Sequence, residues 1–218
     1  GSVAGAALGR TGRWVRYELE YLHAYLGGDS ALAGGATSDA AFLGKASEWS
    51  AADLPVERLS DHAVDQLFAN VYYDFPSDTR WTPFVGAGVG YAKVSTRYYA
   101  RWTRKAAPDY LAVAFDPDWP DAAKRAAAGT ASVVDTEVSE TVPGFQLLAG
   151  VDYALSDAVA IGALVRWVQV GDVDHHALFD TIRSHAPVRA DGTTPFDAEV
   201  ALTNLDYVAA TVSLKYRF

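Results

Sequence analysis

Charged side chains in this sequence recur at every second position rather than in blocks. Arg16, Glu18 and Glu20 alternate along one segment, and Asp74, Asp152, Arg166, Lys215 and Arg217 hold the same phase in later ones. Paired carboxylates such as Glu18 and Glu20 can share general acid–base work. Four cations matched by four anions can equally neutralise one another in an enclosed space, where buried charges need partners. Ser60 and His62, with Asp61 and Asp65 nearby, invite a hydrolytic reading. Such a reading needs a base-activated nucleophile and an orienting third group, and no recognisable enzyme motif surrounds these residues. In DVDHHALFD (172–180), Asp172, Asp174, His175 and His176 cluster, with His185 beyond. Adjacent histidines point to opposite sides of a strand or helix, so the segment reads as a solvated acidic loop and not as a metal site. GAGVG (86–90) has the spacing G-x-G-x-G, and the strand-like YAKVST follows it, so it is not a phosphate loop. Its glycines suit strand curvature or bulky neighbours.

The elements that must position these residues follow from composition and periodicity. The sequence has 218 residues, half of them hydrophobic, with a net charge of −9. Disorder is excluded by that hydrophobic content, and the acidic balance argues against nucleic acid as a partner. Cysteine is absent, which removes disulfides and thiolate chemistry. The longest apolar runs, AVAIGALV (158–165) and PFVGAGVGYA (83–92), are far below the 18 or so residues of a spanning helix. No cofactor or metal is expected.

Period-two alternation, the mark of a half-buried strand, fills most of the sequence. At the C-terminus Val208, Ala210, Val212, Leu214, Tyr216 and Phe218 share one face, while Thr211, Ser213, Lys215 and Arg217 share the other. Segments at 15–21, 66–75, 82–91, 145–153 and 159–167 split the same way. Seven strands are expected, at about 2–9, 13–26, 57–75, 80–102, 132–154, 158–171 and 200–218. Short connections at 9–13, 76–80 and 155–158 alternate with long ones at 27–56, 104–131 and 172–199, which places all short turns at one end of the sheet. Capping residues predict short helices over 38–49, 118–129 and 174–185. No domain boundary is visible, so residues 1–218 read as one domain.

Alternation alone also suits a soluble sandwich. Here, however, the charged set confines itself to one face, and the opposite faces are uncharged for about ten residues, the span of a tilted transmembrane strand. Aromatic residues gather in two bands: Tyr73, Phe75, Trp81, Tyr153, Tyr216 and Phe218 towards the short turns, and Tyr21, Tyr91, Phe145 and Trp167 towards the long ones. Such bands match the interfacial girdles of a lipid-facing barrel.

The runs NVYYDFPSDTRWTPFVGAGVGYAKV (70–94), GFQLLAGVDYALSDAVAIGALVRWVQVGD (144–172) and LDYVAATVSLKYRF (205–218) resemble the outer membrane protein A-like, opacity-type small β-barrels of Gram-negative bacteria. The resemblance implies an all-β, up-and-down transmembrane barrel of eight antiparallel strands, with short periplasmic turns and long extracellular loops. It also implies that Phe218, with Tyr216 and Leu214 on its face, is similar to the signal read by the barrel-assembly machinery. Only seven strands are visible, so an upward first strand, about a dozen or more residues before Ser2, is expected. The inward charges Arg16, Glu18, Glu20, Asp74, Asp152, Arg166, Lys215 and Arg217 leave two readings open, a packed lumen or a narrow channel.

The long connections 27–56 and 172–199 are acidic, with one basic against four acidic residues and two against six. Surface loops of this kind carry binding function. The expected protein is therefore a non-enzymatic outer-membrane barrel with an envelope-structural or adhesive role. Its partners would be outer-membrane lipids, lipopolysaccharide, the assembly machinery and an extracellular ligand. A small passive channel and a lipid-modifying enzyme are the alternatives.

Overall fold

The structure, a computed structural model, describes residues 1–27, 30–33, 56–103, 131–183 and 193–218. The described residues form strands joined by turns: β1 (Ser2–Thr11), β2 (Val15–Tyr25), β3 (Ser30–Ala33), β4 (Val56–Asp74), β5 (Trp81–Thr103), β6 (Ala131–Ala154), β7 (Val159–Val170), β8 (Val173–Arg183), β9 (Thr193–Leu202) and β10 (Asp206–Tyr216). The main path of the sheet runs β1-β2-β4-β5-β6-β7-β10, and every pairing in it is antiparallel. All seven expected spanning strands are present. The short turns at 12–14, 75–80 and 155–158 lie together at one end.

The sheet is strongly curled. At about 4.8 Å per strand, a flat sheet would hold β2 and β7 roughly 19 Å apart. Yet Arg166 on β7 reaches Glu20 on β2 at 2.9 Å, and Gln66 on β4 reaches Tyr207 on β10 at 2.6 Å. One face is thus concave and enclosed, and the other is convex.

Convex and concave faces follow the alternation residue by residue. On β5, Val89 and Tyr91 are 66% and 67% exposed, whereas Ala92, the next residue, is fully buried. Exposed apolar residues cover the convex face from Trp81 to Tyr91, eleven residues of the strand. Aromatic pairs mark both ends of this band: Trp81 with Tyr153 (4.6 Å between ring centroids) and Tyr73 with Phe75 (5.1 Å) below, and Phe145 with Trp167 (5.4 Å) above. No helix among the described residues is long and apolar enough to cross a membrane.

Strands β4, β5 and β6, of 19, 23 and 24 residues, are far longer than such a band needs and continue above it. On β4 the continuation is interrupted by a bulge. The register slips between Ser60 and Ala63, and Asp61 adopts φ 55°. One extra residue reverses the facing: below it Val64, Gln66 and Phe68 point inward, while above it Glu57 points inward to receive a hydrogen bond from Tyr98.

Two expectations are corrected. The segment 174–185 is not a helix, because Val173–Arg183 is strand β8, paired with β9 from Val173↔Leu202 to Ile182↔Thr193. The 172–199 connection is therefore largely a hairpin, tied at its far end to β6 through Ser132↔Arg183. An isolated helix of this length is marginal in water, whereas the emerging strand meets an adjacent edge that satisfies its backbone groups. The expected single strand 200–218 is split as well, at Thr203–Leu205, where Asn204 adopts φ 56°. The break matches the one at Gly171–Asp172: the Asn204 amide donates to the Asp172 carboxylate (3.2 Å), and the Val170 amide to the Leu205 carbonyl (2.9 Å). The helices expected at 38–49 and 118–129 lie outside the described residues.

Candidate functional site

The concave face carries three strata. Nearest the short turns, Arg16 sits at the centre of five charges. Its Nη1 donates to Asp152 (2.8 Å), and Glu18 and Asp74 lie 3.4 and 3.6 Å from its other nitrogens. Lys215 donates to the same Asp152 oxygen at 2.7 Å. The guanidinium is sandwiched by rings, 4.5 Å from Tyr72 and 4.7 Å from Phe84. Strand alternation explains the gathering: Arg16 and Glu18 on β2, Asp74 on β4, Asp152 on β6 and Lys215 on β10 all hold inward positions at the same end.

One layer higher, Glu20 and Arg166 form a bidentate pair at 2.9 and 3.1 Å. Asn70 and Gln146 donate to Glu20 at 2.8 and 3.0 Å, Gln146 donates to Asn70, and Arg166 donates to Gln146. Arg166 is only 2% exposed. A buried pair is sustained when added hydrogen bonds saturate it, and here two amides do so. Glycine makes room for the layer: a Cβ at Gly88 would strike the Asn70 amide, and one at Gly86 the Tyr72 ring.

Above the ions the lining turns apolar. Ala24, Val64, Phe68, Ala92, Val94, Val142, Val168, Val170 and Val173 form one buried cluster, against which Val3, Leu205 and Tyr207 pack. These residues come from β1, β2, β4, β5, β6, β7, β8 and β10, so the cluster reaches across the concave space.

Outside the wall, polarity changes at the same height. Above Tyr21 and Tyr91 the convex face carries His23, Asp65, Lys93, Arg97, Asp135 and Glu137. Asp65 accepts from the Tyr21 hydroxyl (2.6 Å) and contacts His23 Nδ1 (2.9 Å), and these hydrogen bonds hold its carboxyl below the usual carboxylate range. Arg97 donates to Asp135 through two nitrogens at 2.7 and 2.9 Å, which lowers the Asp135 pKa in the same way.

Seven of the eight charges named from the sequence thus fall into two networks. Arg217 does not: it is exposed, and among the described residues it joins no ion pair, its backbone amide donating to Ala158. Leu214, Tyr216 and Phe218 are exposed together on the convex face, the last two with rings 6.5 Å apart. Asn70, Gln146, Tyr72 and Phe84 share the inward parity in the sequence but stand outside the charge set named from it. A search for charge does not find amides or rings.

The other candidates are scattered. Ser60 donates to Asp61 at 3.4 Å, while His62 Nδ1 pairs with the Thr96 hydroxyl at 3.0 Å. Asp65 belongs to Tyr21 and His23. His175 contacts Glu140 at 2.7 Å, and His176 is exposed. Among the described residues no three His, Asp or Glu side chains are grouped to hold a metal ion. His185 lies outside them.

Among known proteins, the family model described as "Opacity family porin protein" matches residues 40–190, about two thirds of the sequence. No curated protein and no solved structure gives a match. A curled antiparallel sheet with a lipid-compatible convex band is consistent with a family of β-barrel porins. The chain belongs to the opacity porin family and is a β-barrel protein of the bacterial outer membrane.

Proposed function

We propose that the protein is a non-conducting, non-enzymatic anchor that holds a rigid upper sheet and its loops outside the cell, where they serve adhesion or envelope contact. The observation that carries this reading is the apolar cluster around Phe68, Val94 and Val168, which reaches across the concave space above two self-neutralised ionic layers. An ion path needs continuous water or fixed polar groups, and hydrophobic constrictions gate by dewetting. Small barrels of this size are filled by their own side chains. The implied partners are outer-membrane lipids and lipopolysaccharide along the convex face, the assembly machinery at Leu214, Tyr216 and Phe218, and an extracellular ligand at the loops.

Planar-bilayer recording tests the proposal. The intact protein is expected to be electrically silent. Reproducible openings that disappear on substitution of the lumen residue Arg166 would establish the passive channel instead. Unchanged lipid A mass on expression is expected, and a shifted mass would favour a lipid-modifying enzyme acting through the Ser60–His62 region. Loop-trimmed protein is expected to stay folded by its heat-shifted gel mobility while losing cell-surface binding.

A further inference from the structure

Directly above the aromatic band, the convex wall holds a polar groove of about 590 Å³. Strand register sets its rows. Tyr21 on β2, Leu67 on β4 and Tyr91 on β5 stand side by side as the last apolar row, all three exposed. One row higher come His23, Asp65 and Lys93. Above them lie Ser95 on β5 and then Arg97, which faces Glu137 across the β5–β6 ladder. The bulge that follows Ser60 brings Asp61 into the lining of the same groove.

Most of these charges cancel locally. Asp65 accepts from Tyr21 and contacts His23, and Arg97 reaches past Glu137 to donate twice to Asp135. Three charges are left over. Among the described residues Lys93, Asp61 and Glu137 join no ion pair, although Lys93 stands opposite Asp65 and Glu137 opposite Arg97. All three are exposed. They are also ordered by height. The cation lies one row above the hydrocarbon boundary, and the two carboxylates lie at the level of Arg97, about 13 Å further up the strand.

We infer that this groove seats the phosphorylated saccharide headgroup of one outer-leaflet glycolipid, with a phosphate on Lys93, sugar hydroxyls on Ser95, Asp61 and Glu137, and acyl chains along Leu67 and Val89 below. The order of the charges selects this occupant. A phosphate carried close to acyl chains comes to rest at the height of Lys93, and lysine binds phosphate as a point charge. Ionised carboxylates only accept hydrogen bonds, so those at the top of the groove repel a second anion and suit neutral hydroxyls. A polar groove of this height outreaches a single phospho-alcohol headgroup and fits linked sugar rings. The inference rests on the proposed contact between the convex face and outer-membrane lipid, and gives that contact a place and a chemistry.

The test takes the full chain from outer membranes into mild detergent, frees it of bound lipid and titrates it under native mass spectrometry. The probes are an acylated, phosphorylated glucosamine disaccharide, the same glycolipid after dephosphorylation, and phosphatidylglycerol. The phosphorylated glycolipid is expected to bind tightest. Lys93→Ala should weaken it about tenfold and leave the dephosphorylated probe unchanged, while Lys93→Arg keeps most of the affinity. Glu137→Ala should weaken both glycolipids and spare phosphatidylglycerol. Arg217→Ala, which removes an exposed cation at the opposite end of the sheet, should change nothing. Unchanged glycolipid binding by Lys93→Ala would overturn the inference. So would equal affinity for phosphatidylglycerol, or an equal loss on Arg217→Ala, since either reduces the contact to general surface charge. Heat-shifted mobility and outer-membrane fractionation separate the two levels of failure. A wild-type protein lacking both would defeat the lipid-facing reading together with the site, whereas a folded, membrane-resident Lys93→Ala protein with full affinity defeats the site alone.

Discussion

The lower and upper halves of this sheet are built from the same strands yet obey opposite rules. Along β5 below Tyr91, the convex side is apolar (Val85, Ala87, Val89) and the concave side faces a salt-bridged network. Above Tyr91 the convex side carries Lys93, Arg97 and Arg101, and the concave side buries Ala92, Val94, Tyr98 and Ala100. Nothing in the backbone changes at that height; the surroundings do. Where hydrocarbon covers the outside, charge is stable only inside and only when paired. Where water covers the outside, the hydrophobic effect resumes its ordinary direction. The protein is thus a membrane barrel continued upward as a water-soluble one, joined at the level of Tyr21, Tyr91, Phe145 and Trp167.

Perturbations of the two halves should differ accordingly. The largest effect is expected from Arg166→Leu, which strands Glu20 as an uncompensated buried charge. Urea unfolding from lipid vesicles should show a loss of about 3–5 kcal/mol, and adding Glu20→Met should restore much of it. If the single substitution proves neutral, the lower network does not hold the fold.

Next comes a direct contrast on one face of one strand. Val85→Arg, in the hydrocarbon band, should cost about 2–4 kcal/mol. Ser95→Arg, ten residues higher on that face, should stay within about 0.5 kcal/mol, as for an ordinary surface site. Equal costs in the same unfolding assay would erase the boundary drawn at Tyr91.

Val138→Ala removes two buried methyl groups from the upper core, for a loss of about 1–2 kcal/mol. The loss should appear as faster limited proteolysis of the strands above the band, while the spanning part keeps its heat-shifted mobility.

The smallest effect concerns pH. Asp65 and Asp135 have folded pKa values below the ordinary range, so their stabilisation is present above the unfolded value near 3.9 and is lost only as pH falls through the lowered folded values. Both are exposed, so the contribution is small. Carboxyl ¹³C titration in nanodiscs should find both titrating below the ordinary aspartate range. Titration at the ordinary value would remove these two contacts from the upper wall.

This division also explains what the sequence reveals. The spanning strands are legible because lipid demands an uninterrupted apolar stripe, so 145–153 and 159–167 declare both their length and their facing. Arg16, Glu20, Asp152 and Arg166 are legible because charge opposite such a stripe has one place to go. Asn70 and Gln146 complete the Glu20 layer with no charge to betray them. The hairpin of β8 and β9 is illegible for a different reason. DHHALFDTIR carries a capping aspartate and no apolar stripe, and its strand form depends on a partner some twenty residues away. Local propensity yields to pairing when an edge is available.

The bulge at Asp61 carries a consequence for variation in this wall. Because one surplus residue there sets the phase of everything on β4 above it, deleting a single residue at that height would exchange the two sides of Val56–Ser60 at a stroke. Leu59 would be driven into solvent and Arg58 into the apolar interior, while no contact within the bilayer would move. Length changes at this point are therefore a switch acting only on the extracellular portion, and one through which the exposed surface can be rewritten without rebuilding the anchor beneath it.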